Sequence, residues 1–352
     1  MTTNYDQPLT TSELKTQLAS SSLSQTTQNT IVRALGSAGG NVTETTTAVT
    51  VNDLSGAKIA VTAGGSINLS KASAADIKAL TAIIITDDQQ TDITIKNNNF
   101  SGTVVLGDGD GKVTLTTNKA VTVETGKGND SVATGSGGDS VVVAGGDDSV
   151  NTGSGNDKVV IKANFEGNAK LDGGSGTNIL SLSDAGTITV DAKGNLIADL
   201  DKGDSSVTAK NFKAIVLGND ASLVDGTKSK LSMSFATGTG NDTITLGSGK
   251  DTIVLAGGND SVNTGAGVDI VNLASNFKGT LTLDGGAGND KVDLSVNTIQ
   301  SVEKIDATRV IVTLENGAVL ELANIENFVY DTNGDLYGGI KTVGLNTLDN
   351  AF

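Results

Sequence analysis

The sequence predicts an all-β fold in which short parallel strands stack into a solenoid. Three observations predict it: nonapeptide repeats follow one another without a gap in two clusters, glycine makes up 45 of the 352 residues beside a single proline, and β-branched residues recur every nine or ten positions. A short fixed period is typical of solenoids, because each repeat buries its apolar face only against its neighbours. We expect four segments, at residues 1–40, 41–124, 125–236 and 237–352.

The first 40 residues are expected to form short helices that act as a cap or an arm. Thr10 and Glu13 fit the two ends of a capping box. Ser24 is placed to cap a second helix that ends at Gly36. The N-terminus has neither a basic nor an apolar region, so we do not expect a signal peptide of the general secretion type.

Residues 41–124 predict a solenoid with few metal ligands. Short runs rich in Thr, Val and Ile recur along this segment, and Ile95, Val104 and Val113 continue the nine-residue spacing upstream of the repeats. One short helix is predicted at residues 73–80. The glycine and aspartate run at residues 106–111 is a hypothetical additional cation site.

Tandem repeats of the pattern x-G-x-G-x-D-x-U-x, in which U is a β-branched apolar residue, form the centre of the sequence. Four copies fill residues 125–160 and four more fill residues 237–272, and the aspartate and the apolar residue are present in every copy. After each cluster an Asn-Phe pair and one more glycine-rich turn follow, which predicts two homologous units, 125–236 and 237–352. Phe165 and Phe277 of these pairs are expected to fill the core.

Each repeat combines a tight turn with a three-residue strand. Glycine at alternate positions permits positive φ and lets carbonyl oxygens point inward. The strand places its central Val or Ile in a thin apolar core. Two repeats therefore make one coil of about 18 residues, and each repeat lies above the repeat two positions away.

This stacking predicts columns of aspartates along each edge of the solenoid. Carboxylates about 4.8 Å apart repel each other by about 3–4 kcal/mol at an effective dielectric constant of about 20. A divalent cation between the turns removes this repulsion, and Ca²⁺ suits a flexible cage of carboxylate and carbonyl oxygens better than Mg²⁺ does. We predict about three Ca²⁺ sites per unit. The candidate ligands are Asp130, Asp139, Asp148, Asp157, Asn178, Asp242, Asp251, Asp260, Asp269 and Asp290.

The tandem Gly-x-Gly-x-Asp repeats resemble those of the RTX (repeats-in-toxin) calcium-binding proteins, closely so over residues 125–181 and 237–293. The resemblance implies a right-handed parallel β-roll with Ca²⁺ between stacked turns, and folding triggered by extracellular Ca²⁺. It also implies export by a type I system that reads an uncleaved C-terminal signal, to which residues 348–352 are similar. Asn178 stands where the family pattern has an aspartate, a departure that affects one site.

The composition excludes several classes of function. The absence of His and Cys rules out Ser-His-Asp and Cys-His catalysis, zinc or haem sites that use these residues, and disulfides. The formal net charge of −16 opposes binding to nucleic-acid phosphates, and no run of about 18 apolar residues is present to span a membrane. The motifs G-x-S-x-G and HExxH are also absent, and nearly everything outside the expected helices is predicted as solenoid, so no enzymatic activity is predicted.

We predict a secreted or cell-surface structural protein that binds calcium and assembles with itself into a filament, matrix or surface layer, because the open sheet edges and ends of a solenoid favour stacking of copies. A cell-surface polysaccharide is a second partner class. Two alternatives stay open. One is an adhesin or ice-binding module, in which Thr125, Thr134, Thr152, Thr237 and Thr264 would form an outward ladder. The other is a soluble Ca²⁺ sink.

Overall fold

The computed structural model describes residues 42–45, 48–200, 204–331 and 340–345, so the helices expected in 1–40 and the tail at 348–352 lie outside the described residues. Nearly all regular structure among the described residues is β, mostly in parallel pairs, which confirms the predicted fold class. The helix predicted at 73–80 is also confirmed: α1 (Ala74–Ala79) begins after Ser73, whose hydroxyl oxygen accepts the Asp76 N–H at 3.1 Å. A short 3-10 helix (Val51–Leu54) precedes this helix in the chain.

The chain divides into two compact units, Met1–Asn178 and Ile179–Phe352. From here on, "first unit" and "second unit" refer to these two parts of the chain and not to the homologous units 125–236 and 237–352. From β2 onward, the strands of the first unit alternate between two parallel sheets, because each coil contributes one strand to each sheet. One sheet comprises β1 (Val42–Thr45), β2 (Ile59–Thr62), β4 (Ala82–Ile85), β6 (Thr103–Val105), β8 (Thr122–Glu124), β10 (Ser140–Val143) and β12 (Lys158–Ile161). The other comprises β3 (Gly65–Asn68), β5 (Thr91–Ile95), β7 (Gly111–Leu115), β9 (Ser131–Ser136), β11 (Asp148–Ser154) and β13 (Asn168–Asp172).

The second unit also contains two sheets of mainly parallel strands. One comprises β14 (Ile179–Leu182), β18 (Ala214–Leu217), β20 (Ser234–Ala236), β22 (Thr252–Leu255), β25 (Ile270–Leu273), β28 (Lys291–Asp293), β32 (Asn327–Asp331) and the antiparallel β33 (Ile340–Val343). The parallel strands of the other are β15 (Ala185–Val190), β19 (Leu223–Asp225), β21 (Thr243–Thr245), β23 (Gly258–Asn263), β26 (Gly279–Asp284) and β31 (Val319–Ala323). The short strands β24 (Ala266–Gly267) and β27 (Ala287–Gly288) pair with each other within the turns.

Two antiparallel meanders interrupt the second unit, so the prediction that nearly everything outside the helices is regular solenoid is wrong there. The strand β16 (Leu196–Leu200) pairs antiparallel with β15 and with β17 (Ser206–Lys210). The strand β30 (Arg309–Leu314) pairs in the same way with β29 (Ile299–Lys304) and β31. An Asn-Gly pair at 316–317 forms the turn between β30 and β31, and such a pair between apolar runs is a sequence signal of a hairpin.

The apolar core lies between the two sheets of each unit. The β-branched residue of every repeat is at most 3% exposed, as the repeat pattern predicts. The residue two positions later points to the same side of the strand, and Val143 and Leu255 are examples of this second buried row. Phe165 and Phe277 are also buried, which confirms that they fill the core.

The strands predicted within 41–124 are present, but their coils are longer than those of the repeats. Ile93 pairs with Val113, and Val113 pairs with Val132. Hydrogen bonds between successive turns span 20 residues, then 19, and reach the predicted 18 within the repeats. The nine-residue spacing of Ile95, Val104 and Val113 is therefore not the register of this segment, because Ile95 lies two positions beyond the residue that pairs with Val113.

Candidate metal centre

The aspartates of the repeats form continuous columns, in the pairs that the repeat spacing predicts. In the first unit the Asp130 N–H donates to Asp148 Oδ1 at 2.7 Å. The same bond recurs at 2.7–2.9 Å between Asp139 and Asp157, Asp242 and Asp260, Asp251 and Asp269, and Asp269 and Asp290. Each aspartate thus ties its own coil to the preceding coil.

Glycine lets successive turns approach closely and brings carbonyl oxygens to the columns. Gly153 has a φ of 82°, and a Cβ atom there would collide with the Gly135 carbonyl of the preceding coil. A Cβ atom on Gly155 would meet both the Gly137 carbonyl oxygen and Asp157 Oδ1. Carbonyl and carboxylate oxygens therefore lie side by side in the turns, and together they are the ligands that Ca²⁺ prefers.

The second carboxylate oxygen of most column aspartates is buried and has no hydrogen-bond partner. This holds for Oδ2 of Asp130, Asp139, Asp148, Asp157, Asp242, Asp260, Asp269 and Asp290. All ten candidate ligands are at most 3% exposed. An ionised oxygen in such a position loses its hydration without compensation, and a cation supplies the missing partner. The residues present therefore fit Ca²⁺.

The ligand set of each site combines side chains with backbone. No group of three or more acidic side chains suited to a metal occurs in the described part of the chain. Two stacked carboxylates would therefore hold each ion together with turn carbonyls. This composition matches the six to eight oxygen ligands, from carboxylates and backbone, that Ca²⁺ accepts.

Burial raises the pKa of several column aspartates. Loss of hydration is the largest cause, and it raises the pKa of Asp148 to about 8 and those of Asp130 and Asp260 to about 7. For the same reason the pKa values of Asp251 and Asp290 rise to about 6. The charge of a neighbouring aspartate adds to each increase, and backbone N–H donors oppose it. Without a cation, Asp148, Asp130 and Asp260 therefore hold protons near neutral pH that the unfolded chain releases, and this difference destabilises the calcium-free fold.

Asn178 continues its column in geometry but not in charge. Its Oδ1 accepts the Asp157 N–H at 3.0 Å, as an aspartate would. Its Nδ2 donates to the Gly173 carbonyl at 2.5 Å. In the second unit the corresponding residue, Asp290, instead keeps an Oδ2 without a hydrogen-bond partner. The Asp157–Asn178 pair thus offers one carboxylate where the other pairs offer two.

A second ladder of side chains, which the sequence pattern did not reveal, lies beside the columns. The Asn129 N–H donates to Asp110 Oδ1, the Asp147 N–H to Asn129 Oδ1 and the Asn168 N–H to Asp147 Oδ1, at 2.7–2.9 Å. Here the later coil donates to the earlier one, which is the reverse of the aspartate columns. Its sequence signal is the asparagine that precedes the aspartate in four of the eight repeats.

The run at 106–111 lies outside the aspartate columns. Asp108 and Asp110 are exposed, and their Oδ1 atoms accept the backbone N–H groups of Lys127 and Asn129. Gly111 occupies the column position, because its N–H donates to Asp130 Oδ1 at 2.7 Å. The hypothetical cation site in this run therefore has no column carboxylate of its own.

The threonines expected to form an outward ladder are buried, so that expectation is wrong. Thr125, Thr134, Thr152, Thr237 and Thr264 are at most 7% exposed. Each lies two positions after an inward apolar residue, and the alternation of a strand places both on the same side. Thr134 and Thr264 donate their hydroxyls to carbonyls of the next coil at 2.9 Å. The ice-binding alternative loses the observation on which it depended.

Comparison with known families identifies the same repeats. The model of the RTX calcium-binding nonapeptide repeat matches four copies, at residues 122–159, 236–271 and 282–295, about a quarter of the chain. These segments contain every candidate ligand except Asn178. The resemblance to the RTX family is thus confirmed, and with it the assignment of Ca²⁺ to the repeats. No curated protein matches the chain.

Lowering the pH is expected to weaken Ca²⁺ binding. Because Asp130, Asp148, Asp251, Asp260 and Asp290 have pKa values of about 6 to 8 in the fold, above their ordinary value of 3.8, protons favour the calcium-free fold as the pH falls through this range. Calcium must displace these protons, so affinity should fall by up to about tenfold per pH unit for each proton displaced. Calorimetric titrations between pH 8 and pH 6, in two buffers of different ionisation heat, measure affinity and proton release together. An affinity that does not change over this range contradicts the prediction.

Asn178→Asp is expected to complete a site. A carboxylate at this position has no N–H to donate to the Gly173 carbonyl. The Gly173 carbonyl oxygen and the second carboxylate oxygen therefore both become available to a cation. We expect about one additional Ca²⁺ per chain and a higher unfolding temperature in Ca²⁺, but a loss of about 1–3 kcal/mol in EGTA from the buried charge. Asn156→Asp adds the same charge at an exposed position and is the control. An unchanged number of bound ions in Asn178→Asp would show that the column does not bind at this position.

Proposed function

Because the chain carries RTX calcium-binding repeats, we propose that it is a secreted, non-catalytic structural protein whose copies associate once Ca²⁺ has folded them. One observation carries the association: the second unit has an uncharged outer sheet face although the chain has a formal net charge of −16. We call the outward side chains of β14, β18, β20, β22 and β25 the uncharged face, since these five strands contain no Asp, Glu, Lys or Arg.

An apolar row crosses the middle of the uncharged face. The strand register aligns Val216 with Ala236 and Ala236 with Val254. Val216 and Val254 are 38% and 39% exposed, while the residues that precede them in their strands are buried in the core. These side chains therefore point outward and form a contiguous apolar surface, which is a feature of interaction sites.

A second copy of this chain is the occupant that the charges favour. Two molecules with the same large negative charge repel each other over most of their surfaces. The uncharged face is where two copies can meet without opposing carboxylates. Bound Ca²⁺ makes the net charge less negative, so the ion that neutralises the columns also favours association.

The family match supports secretion, because RTX repeats are typical of secreted proteins. None of the helices in the described part of the chain is long and apolar enough to cross a membrane. Export through the C-terminal residues, as the resemblance implies, belongs to this proposal. Appending residues 293–352 to a reporter in a host with a type I exporter tests it.

Val254→Lys is expected to abolish or strongly reduce association in millimolar Ca²⁺, because it places a charge in the centre of the uncharged face. Ser261→Lys on β23 is the matched control, since it adds the same charge at an exposed outward position of the other sheet. Light scattering and electron microscopy compare both variants with the wild type. Circular dichroism verifies that each variant is folded.

Two results would overturn the association. One is a wild-type chain that stays a monodisperse monomer at high concentration in Ca²⁺. The other is an assembly that both lysine variants form equally well, since the uncharged face would then have no part in it.

A further inference from the structure

The aspartate column of the second unit does not end with the repeats. The register pairs Ile270 with Lys291 and Lys291 with Asn327. Because Asp290 immediately precedes Lys291, the residue that follows Asp290 in the column is Glu326. Glu326 lies in the non-repetitive segment after the second meander, 36 residues further along the chain.

Glu326 makes the same hydrogen bond as a column aspartate. The Asp290 N–H donates to Glu326 Oε2 at 2.7 Å. The corresponding bonds from Asp251 to Asp269 and from Asp269 to Asp290 are 2.7 and 2.8 Å long. The longer glutamate side chain thus takes the place of an aspartate in the next coil.

The other columns end without a carboxylate. The register places Ala169 after Asp148 and Leu281 after Asp260. Asn178 follows Asp157, and its amide contributes no charge. In the described part of the chain, only the column that contains Asp290 therefore continues with an acidic residue after its last repeat aspartate.

We propose a Ca²⁺ site between Asp290 and Glu326, in addition to the sites between repeats. Two observations support it in addition to the hydrogen bond between the two residues. Asp290 is 1% exposed, and its Oδ2 has no hydrogen-bond partner. Gly285 is also closely approached by the Asn324 carbonyl, which a Cβ atom on that glycine would strike. Carboxylate and carbonyl oxygens thus come together here as they do between the repeats.

The surroundings of this pair favour a cation. Asp284 lies near Asp290 in the same coil, and it accepts a hydrogen bond from Asn324 Nδ2 at 2.7 Å. Three carboxylates therefore contribute negative potential at this end of the column. Glu326 itself is exposed, so water can complete the six to eight oxygens that Ca²⁺ accepts.

The substitution Glu326→Gln tests the site in the full-length chain. Glutamine keeps an oxygen that can accept the Asp290 N–H but loses the charge, so the fold is retained while the site is weakened. We expect equilibrium dialysis with radioactive calcium to count one ion fewer per chain. Glu321→Gln, an exposed glutamate on β31, is the control and should bind the wild-type number.

Hydrogen exchange gives a second measurement. Calcium-dependent protection of the β32 amides should be lost in Glu326→Gln, kept in Glu321→Gln and largely restored in Glu326→Asp. If Glu326→Gln binds as many ions as the wild type and keeps this protection, Glu326 only caps the column and the proposed site is wrong. The loss of one ion with this protection unchanged would also overturn it, because the ion would then lie elsewhere.

Discussion

Each column aspartate performs two tasks with one carboxylate, and the remainder of the solenoid depends on this arrangement. Its Oδ1 accepts the backbone N–H of the preceding coil and so holds the coils together. The same geometry leaves Oδ2 buried without a partner in eight of these residues. Cations on the columns therefore favour stacking, whereas without them the coils carry uncompensated charges or hold protons that the unfolded chain releases at neutral pH. Cohesion between coils and demand for a cation come from the same side chains.

Within the repeats, this arrangement keeps most charge away from the faces of the sheets. The column acids lie at the turns, where glycine brings carbonyl oxygens near them, and the strands of the repeats carry mainly apolar and hydroxyl side chains. In the second unit five strands of one sheet have no charged residue at all. In the proposed function, an ion that neutralises the turns leaves this outer face for contact between copies, so folding and association would be two consequences of one binding event.

The parts of the structure that repeat could be predicted, and the parts that depend on longer-range pairing could not. A fixed nine-residue period determines which aspartates stack, so the pair formed by Asp130 and Asp148 followed from spacing alone. Glu326 carries no repeat motif, and a meander separates it from Asp290, so only the strand register reveals it as a column member. The inward orientation of the Thr134 side chain could have been predicted, because a residue two positions after an inward valine points inward as well. The reversed ladder that contains Asn129 depends on hydrogen-bond direction, which composition does not specify.

The central claim is that cations on the aspartate columns hold the solenoid in its folded state. Far-ultraviolet circular dichroism of the full-length chain near neutral pH, first in EGTA and then with Ca²⁺ added in excess, tests it most directly. We expect the strand signal to be lost in EGTA, to return cooperatively as Ca²⁺ is added, and to return to a much smaller extent with Mg²⁺ at the same concentration. A spectrum that is the same in EGTA and in Ca²⁺ would contradict it.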